Sequence, residues 1–228
     1  MKAERLLFVI FVLVGVLFIV GSTLHFKTLF TFSNFFLIPI LLLYYRCRTR
    51  KLFRPIAVSL VLLYIRDVFL TYGFHSNPEI IWTSFLLAMF LLFLSLITGF
   101  ERSKVHPLEI VSFFIMYGFL TFLFVSLSEM VPEVLPGREI SAYLDLLLLM
   151  FLLAGCFTSY LMKSHLASLW FMVAASSFLV SEVSLFFKVF ILEDFSVNFF
   201  YPFFHVLAYY GLVEYGVRRR RTGKLKYF

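Results

Sequence analysis

Eight apolar stretches follow one another along the chain, and each is ended by proline, glycine or charge. They cover residues 6–24, 29–45, 56–72, 80–99, 108–127, 140–162, 166–187 and 199–217. A membrane span needs about 20 mostly apolar residues, within a range of ~17–25. The breaks between them (RCRTRKLFRP, GFHSNPE, ERSKVHP, SEMVPEVLPGRE, MKSH and KVFILEDFSVN) carry the residues that stop helices and make turns. The expected fold is therefore all-α: one polytopic membrane bundle of eight transmembrane helices, spanning residues 1–228. Residues 218–228 form a basic cytoplasmic tail. The second stretch is the weakest, since Asn34 and Pro39 interrupt it. Proline is tolerated in a membrane helix when neighbours satisfy the freed carbonyl.

Composition says the same thing. Hydrophobic residues make up 62% of the chain and charged residues 14%, against about 45–50% and about 25% in soluble domains. A soluble core of this size cannot hide that much apolar surface. Any chemistry must take place in or at the membrane. The run after Lys2 and Arg5 is longer than a signal-peptide core and lacks an A-x-A site, so it is read as an uncleaved first span. Cys47 and Cys156 stand far apart, without metal-ligand or redox spacing, and read as packing residues.

The net charge of +7 is not spread evenly. With eight spans, sixteen cations fall on one side: Lys2 and Arg5, the RCRTRK loop with Arg54, Arg102 and Lys104, Lys163, and the tail. Lys27, Arg138 and Lys188 fall on the other, and Arg66 lies within a span. Cytoplasmic loops collect Lys and Arg, so both termini are expected in the cytoplasm. One span more or fewer would put the RCRTRK loop and the RRRR tail on opposite faces. Beside apolar spans these cations suit anionic lipid headgroups, not nucleic acid. The compact architecture fits a bacterial inner (plasma) membrane.

Ionisable groups inside a span cost ~2.5–3.5 kcal/mol at the centre on insertion scales, and are functional candidates for that reason. Those well inside are Arg66 and Asp67, Asp145, Glu182 and His205. At about 1.5 Å per residue the four sites lie roughly 8–9 Å below the non-cytoplasmic boundary. One shared depth points to a polar cavity open to the outer face. The competing reading is structural, with acids pairing with Arg66 or bonding across helices. Glu109 and Glu214 read as solvated helix ends. No second His or Cys stands at ligand spacing to His205, so neither a metal nor another cofactor is expected. YIRDVFLTY around Asp67 and LVSEVSLFF around Glu182 place an acid at one depth in helices four apart. This fits two parallel four-helix halves.

These segments resemble the YhhN family, eight-helix membrane proteins that include lysoplasmalogenases. The likeness lies in FKTLF (26–30), IRDVFL (65–70), LVSEVSL (179–185), AYLDLLLLMFLLAG (142–155) and HVLAYYGL (205–212). The chain departs from the family pattern at Arg66, where the family has glycine, and at Glu182, where it has aspartate. Met89 replaces a common histidine and Tyr209 a glutamine. The resemblance implies hydrolysis of the vinyl ether of a lysoplasmalogen, or action on a related lysolipid. That reaction wants one acid to protonate the vinyl carbon and a carboxylate to stabilise the oxocarbenium ion or activate water. Burial and like-charge proximity can set two carboxyls to those roles. Asp67 and Glu182 are the expected catalytic pair. Lys27, Arg66, Asp145, His205 and Tyr209 are candidates for holding the lipid. The alternative is a non-catalytic or transport-type protein that uses the same carboxyls for solute, proton or lipid binding.

Overall fold

A computed structural model describes residues 2–49, 52–74, 76–98, 107–163, 165–192 and 194–225. Among them there is no strand. Eight helices follow in order: α1 (Lys2–Thr23), α2 (Lys27–Thr49), α3 (Arg54–Thr71), α4 (Pro78–Ile97), α5 (Pro107–Val134), α6 (Glu139–Lys163), α7 (Leu166–Phe190) and α8 (Phe195–Leu225). Six of these, all but α3 and α8, are long and apolar enough to cross a membrane. Their outward faces are bare hydrocarbon, as at Phe114 and Ile115 on α5 or Leu6 and Leu13 on α1. A contiguous apolar surface of this kind suits lipid, and the chain is a helical membrane protein.

The two exceptions have a physical reason. α3 has only 18 residues and carries Arg54, Arg66 and Asp67. The apolar stretch of α8 is diluted by Asn198, Pro202 and His205. Yet the middle of α8 is covered by protein rather than lipid: residues 211–217 are all buried, while Phe195, Phe200 and Phe203 nearer its start are exposed. A helix wrapped by its neighbours need not be apolar to pass through a bilayer.

The turns on one side carry the special backbone. His25 (φ 58°), Gly73 (φ 104°) and Gly137 (φ 80°) lie in the left-handed region, between α1 and α2, after α3 and before α6. Gly21 allows α1 and α2 to close at that end, since a Cβ there would stand 2.7 Å from the Phe30 backbone nitrogen. At the other end α8 runs past the expected limit of 217 to Leu225, so part of the basic tail is helical. Arginine is a good helix former, and Arg218 and Arg219 are tied down. Arg218 Nε donates to Glu214 Oε2 at 3.0 Å, and Arg219 Nη1 donates to Ser95 and to Tyr215 Oη.

Helices α2, α3, α4, α6, α7 and α8 touch in sequence and close into a ring, with α8 meeting α2. α1 packs outside it on α2 and α8, and α5 packs on α6. α7 and α8 approach closely, because Gly211 faces the Ala174 backbone with room for no larger group. Small residues let membrane helices meet at such distances. The inside of the ring is where the ionisable residues of α3, α7 and α8 converge.

Candidate functional site

Adjacent residues on a helix point about 100° apart, and Arg66 and Asp67 use that angle to face different compartments. Asp67 turns toward α8 and is 1% exposed. Its Oδ2 accepts the Tyr209 hydroxyl at 2.5 Å and lies 3.0 Å from His205 Nε2. The Asp67 backbone carbonyl accepts Asn34 Nδ2 from α2 at 3.1 Å. Beyond the imidazole, His205 Nδ1 lies 3.3 Å from Ser181 Oγ, which donates to the Tyr201 carbonyl at 3.2 Å. Acid, imidazole and hydroxyl thus stand in the order of a hydrolase triad. Ser181 and His205 are nonetheless fully buried and line no described cavity. The chain of bonds holds Asp67 in place between α2, α3, α7 and α8 and presents no nucleophile.

Arg66 turns the other way. Its Nη2 donates to Glu182 Oε2, Nη1 stands 4.0 Å from Asp67 Oδ1, and the guanidinium lies over the Phe85 ring at 4.5 Å. Arg66 and Glu182 form part of the wall of a cavity of about 120 Å³. α4 supplies Trp82 and Phe85 to it, α5 Leu127 and Val131, α6 Ala142 and Asp145, and α7 Val183 and Phe186. The charged groups are Arg66, Asp145 and Glu182, and the rest of the wall is apolar or aromatic. The lining includes Phe74 and Leu135 from the turns after α3 and α5, at the end of the bundle away from Arg48 and Arg218.

No protein-family model, curated protein or solved structure matches the chain.

The residues singled out in the sequence meet here, but not in one cavity. Arg66, Asp145 and Glu182 line the open one. Asp67, His205 and Tyr209 form the closed network behind it. Lys27 sits exposed in the first turn of α2, which contributes no wall. Asp67 and Glu182 are not bare carboxyls facing each other, because the guanidinium of Arg66 stands between them and weakens the like-charge effect expected of such a pair. Glu214 is another correction. It is not a solvated helix end but 1% exposed, bonded by Arg48 from α2 and Arg218 from its own helix.

Four groups lay outside the sequence reading. Asn34 and Ser181 belong to the Asp67 network. Trp82 and Phe85 give the cavity aromatic faces. Asn34 showed only as an interruption of the second apolar stretch, and hydropathy alone had no signal for the other three.

Proposed function

We propose that the chain crosses the membrane eight times, with both termini in the cytoplasm, and that its outer-half cavity receives a single-chain amphiphile. The resemblance to the YhhN family gives the reaction: hydrolysis of the vinyl ether of a lysoplasmalogen or related lysolipid. The observation that carries this reading is the cavity itself, with apolar walls meeting Arg66, Glu182 and Asp145. A molecule seated there has its polar–apolar junction beside two carboxyls, and in a lysoplasmalogen the vinyl ether is that junction.

Glu182 and Asp145 are the carboxyls within reach of such a ligand. One delivers a proton to the vinyl carbon, and the other, ionised, stabilises the oxocarbenium ion and directs water to it. The resulting hemiacetal breaks to a fatty aldehyde and a glycerophospho-base, so one water is consumed. Asp67 acts through Arg66 as a positioning residue. The test is aldehyde release from a lysoplasmenyl lipid by the purified protein. Asp145→Asn and Glu182→Gln are expected to lower it at least about a hundredfold, as loss of a general acid does. Absence of release by the wild type, or release by both variants equal to that of the wild type, sinks the hydrolase.

The ion pair favours a second reading. Arg66 ties up Glu182, which suits binding or transport without chemistry. Saturable binding of the lipid with no aldehyde release would support it.

A further inference from the structure

The cavity carries an imbalance of charge. Arg66 faces Glu182 and Asp67 and shares the cavity with Asp145. One guanidinium serves three carboxyl groups and is held by Glu182, so an ionised Asp145 has no cation of its own at the wall. An uncompensated charge held away from water is costly.

Unmet hydrogen bonds define the missing partner further. Glu182 Oε1 and Asp145 Oδ1 are buried acceptors with no donor, and Arg66 Nε and Nη1 are buried donors with no acceptor. Proteins leave few such groups; others stand at Asn34, Asp67 and Asn198, and these four belong to the three charged residues of one cavity wall. A partner that satisfies them brings positively charged N–H groups to the oxygens and an oxygen acceptor to the guanidinium. Quaternary ammonium has no N–H to give, and a phosphate or carboxylate with no ammonium beside it would meet the acids. Trp82 already has the Arg138 guanidinium over its ring at 5.6 Å; the face of Phe186 suits a cation, and the remaining wall suits a hydrocarbon chain.

We infer that the cavity takes a primary ammonium with a nearby oxygen acceptor, carried on a single apolar chain, and that Asp145 is its counter-ion. The inference rests on the reading of this cavity as an amphiphile site. A free long-chain amino alcohol and an amino-bearing lysolipid head share this chemistry.

The experiment uses the full chain in phosphatidylcholine nanodiscs, with Trp170→Phe leaving Trp82 as the one remaining tryptophan of two. Its fluorescence is followed while aminododecanol, dodecyltrimethylammonium, dodecanol or dodecyl sulfate is added. Ala142→Phe, which fills the cavity, supplies the background. Aminododecanol is expected to bind saturably and at least about tenfold more tightly than the other three, the effect of one hydrogen bond to a charged group. Asp145→Asn is expected to remove that advantage and leave dodecanol unchanged, whereas Asp145→Glu, which keeps the charge, retains it. Lysophosphatidylethanolamine matching aminododecanol would identify a lipid head as the source; aminododecanol alone would identify the free base. Dodecyl sulfate binding as tightly as aminododecanol, or no change in Asp145→Asn, overturns the inference. Equal binding of all four, abolished by Ala142→Phe, overturns it and leaves the amphiphile site standing. No saturable binding by any of them removes the amphiphile site itself.

Discussion

Arg66 is the residue on which both compartments depend. Its side chain is buried, pairs with Glu182, and lies close to Asp67. Arg66→Met would strand two carboxylates, and breaking one side of a buried pair costs about 3–5 kcal/mol. The double variant Arg66→Met, Glu182→Gln is expected to regain part of that loss, and unfolding of all three forms in mixed micelles measures it. A recovery of zero would show that the pair contributes nothing. Tyr209→Phe removes the hydroxyl that bonds Asp67. It is expected to lower stability by about 1–3 kcal/mol, the cost of leaving a buried acceptor short of a donor. The ionisable members of the site were legible in the sequence because charge within an apolar run stands out. Ser181 and Asn34 were not. Serine in a helix commonly bonds its own backbone, as Ser33 and Ser176 do here, and nothing local marks the one that reaches across. Depth was legible from helix rise; the direction in which neighbouring side chains point depends on the packing of α3 against α4 and α8.

At the scale of the helices, α8 is the element that makes the bundle. It touches α1, α2, α3 and α7 and brings His205 and Tyr209 to Asp67. Gly211 is where α7 seats against it, with Ala174 Cα 3.2 Å from the place a Cβ would take. Gly211→Val is expected to push the helices apart at a cost of about 1–3 kcal/mol, the usual penalty of overpacking. Tyr209 would lose its grip on Asp67 in the same step, so Tyr209→Phe should cost less in that background than alone. Near the opposite end, Glu214 links Arg48 on α2 to Arg218 on α8, and Arg48 reaches Glu4 on α1 at 3.4 Å. Hydropathy placed six of the eight helices within about four residues at each end; α5 runs on to Val134 and α8 to Leu225, past their apolar stretches. The arginines of α8 hold its last turns by side-chain bonds that an apolarity count does not register.

For the whole molecule, the proposed orientation makes a prediction with cysteine labels. Cys47 is exposed near the end of α2, and Cys156 is buried. In sealed cells a membrane-impermeant maleimide is expected to modify Arg138→Cys and to reach Cys47 only after the membrane is opened. Labelling of Cys47 in sealed cells would reverse the topology. The cations on which that topology rests include Arg50, Lys51, Arg102, Lys104 and Lys226, which lie outside the described residues, so the sequence carries that argument. The helix neighbours match two four-helix halves only in part: α1–α2, α2–α3, α3–α4 and α4–α6 correspond to α5–α6, α6–α7, α7–α8 and α8–α2, whereas α1 packs on α8 with no comparable contact of α5 on α4 among the described residues.

α5 has a consequence of another kind. It closes the cavity with Leu127 and Val131, yet only 6% of its apolar window is buried within the protein. Acyl chains therefore supply most of the pressure that holds this wall against α6. On the proposed reading the bilayer becomes a component of the binding site, and ligand affinity a property of protein and membrane together. An ordered, thick membrane and a fluid, thin one would give the same chain two different dissociation constants.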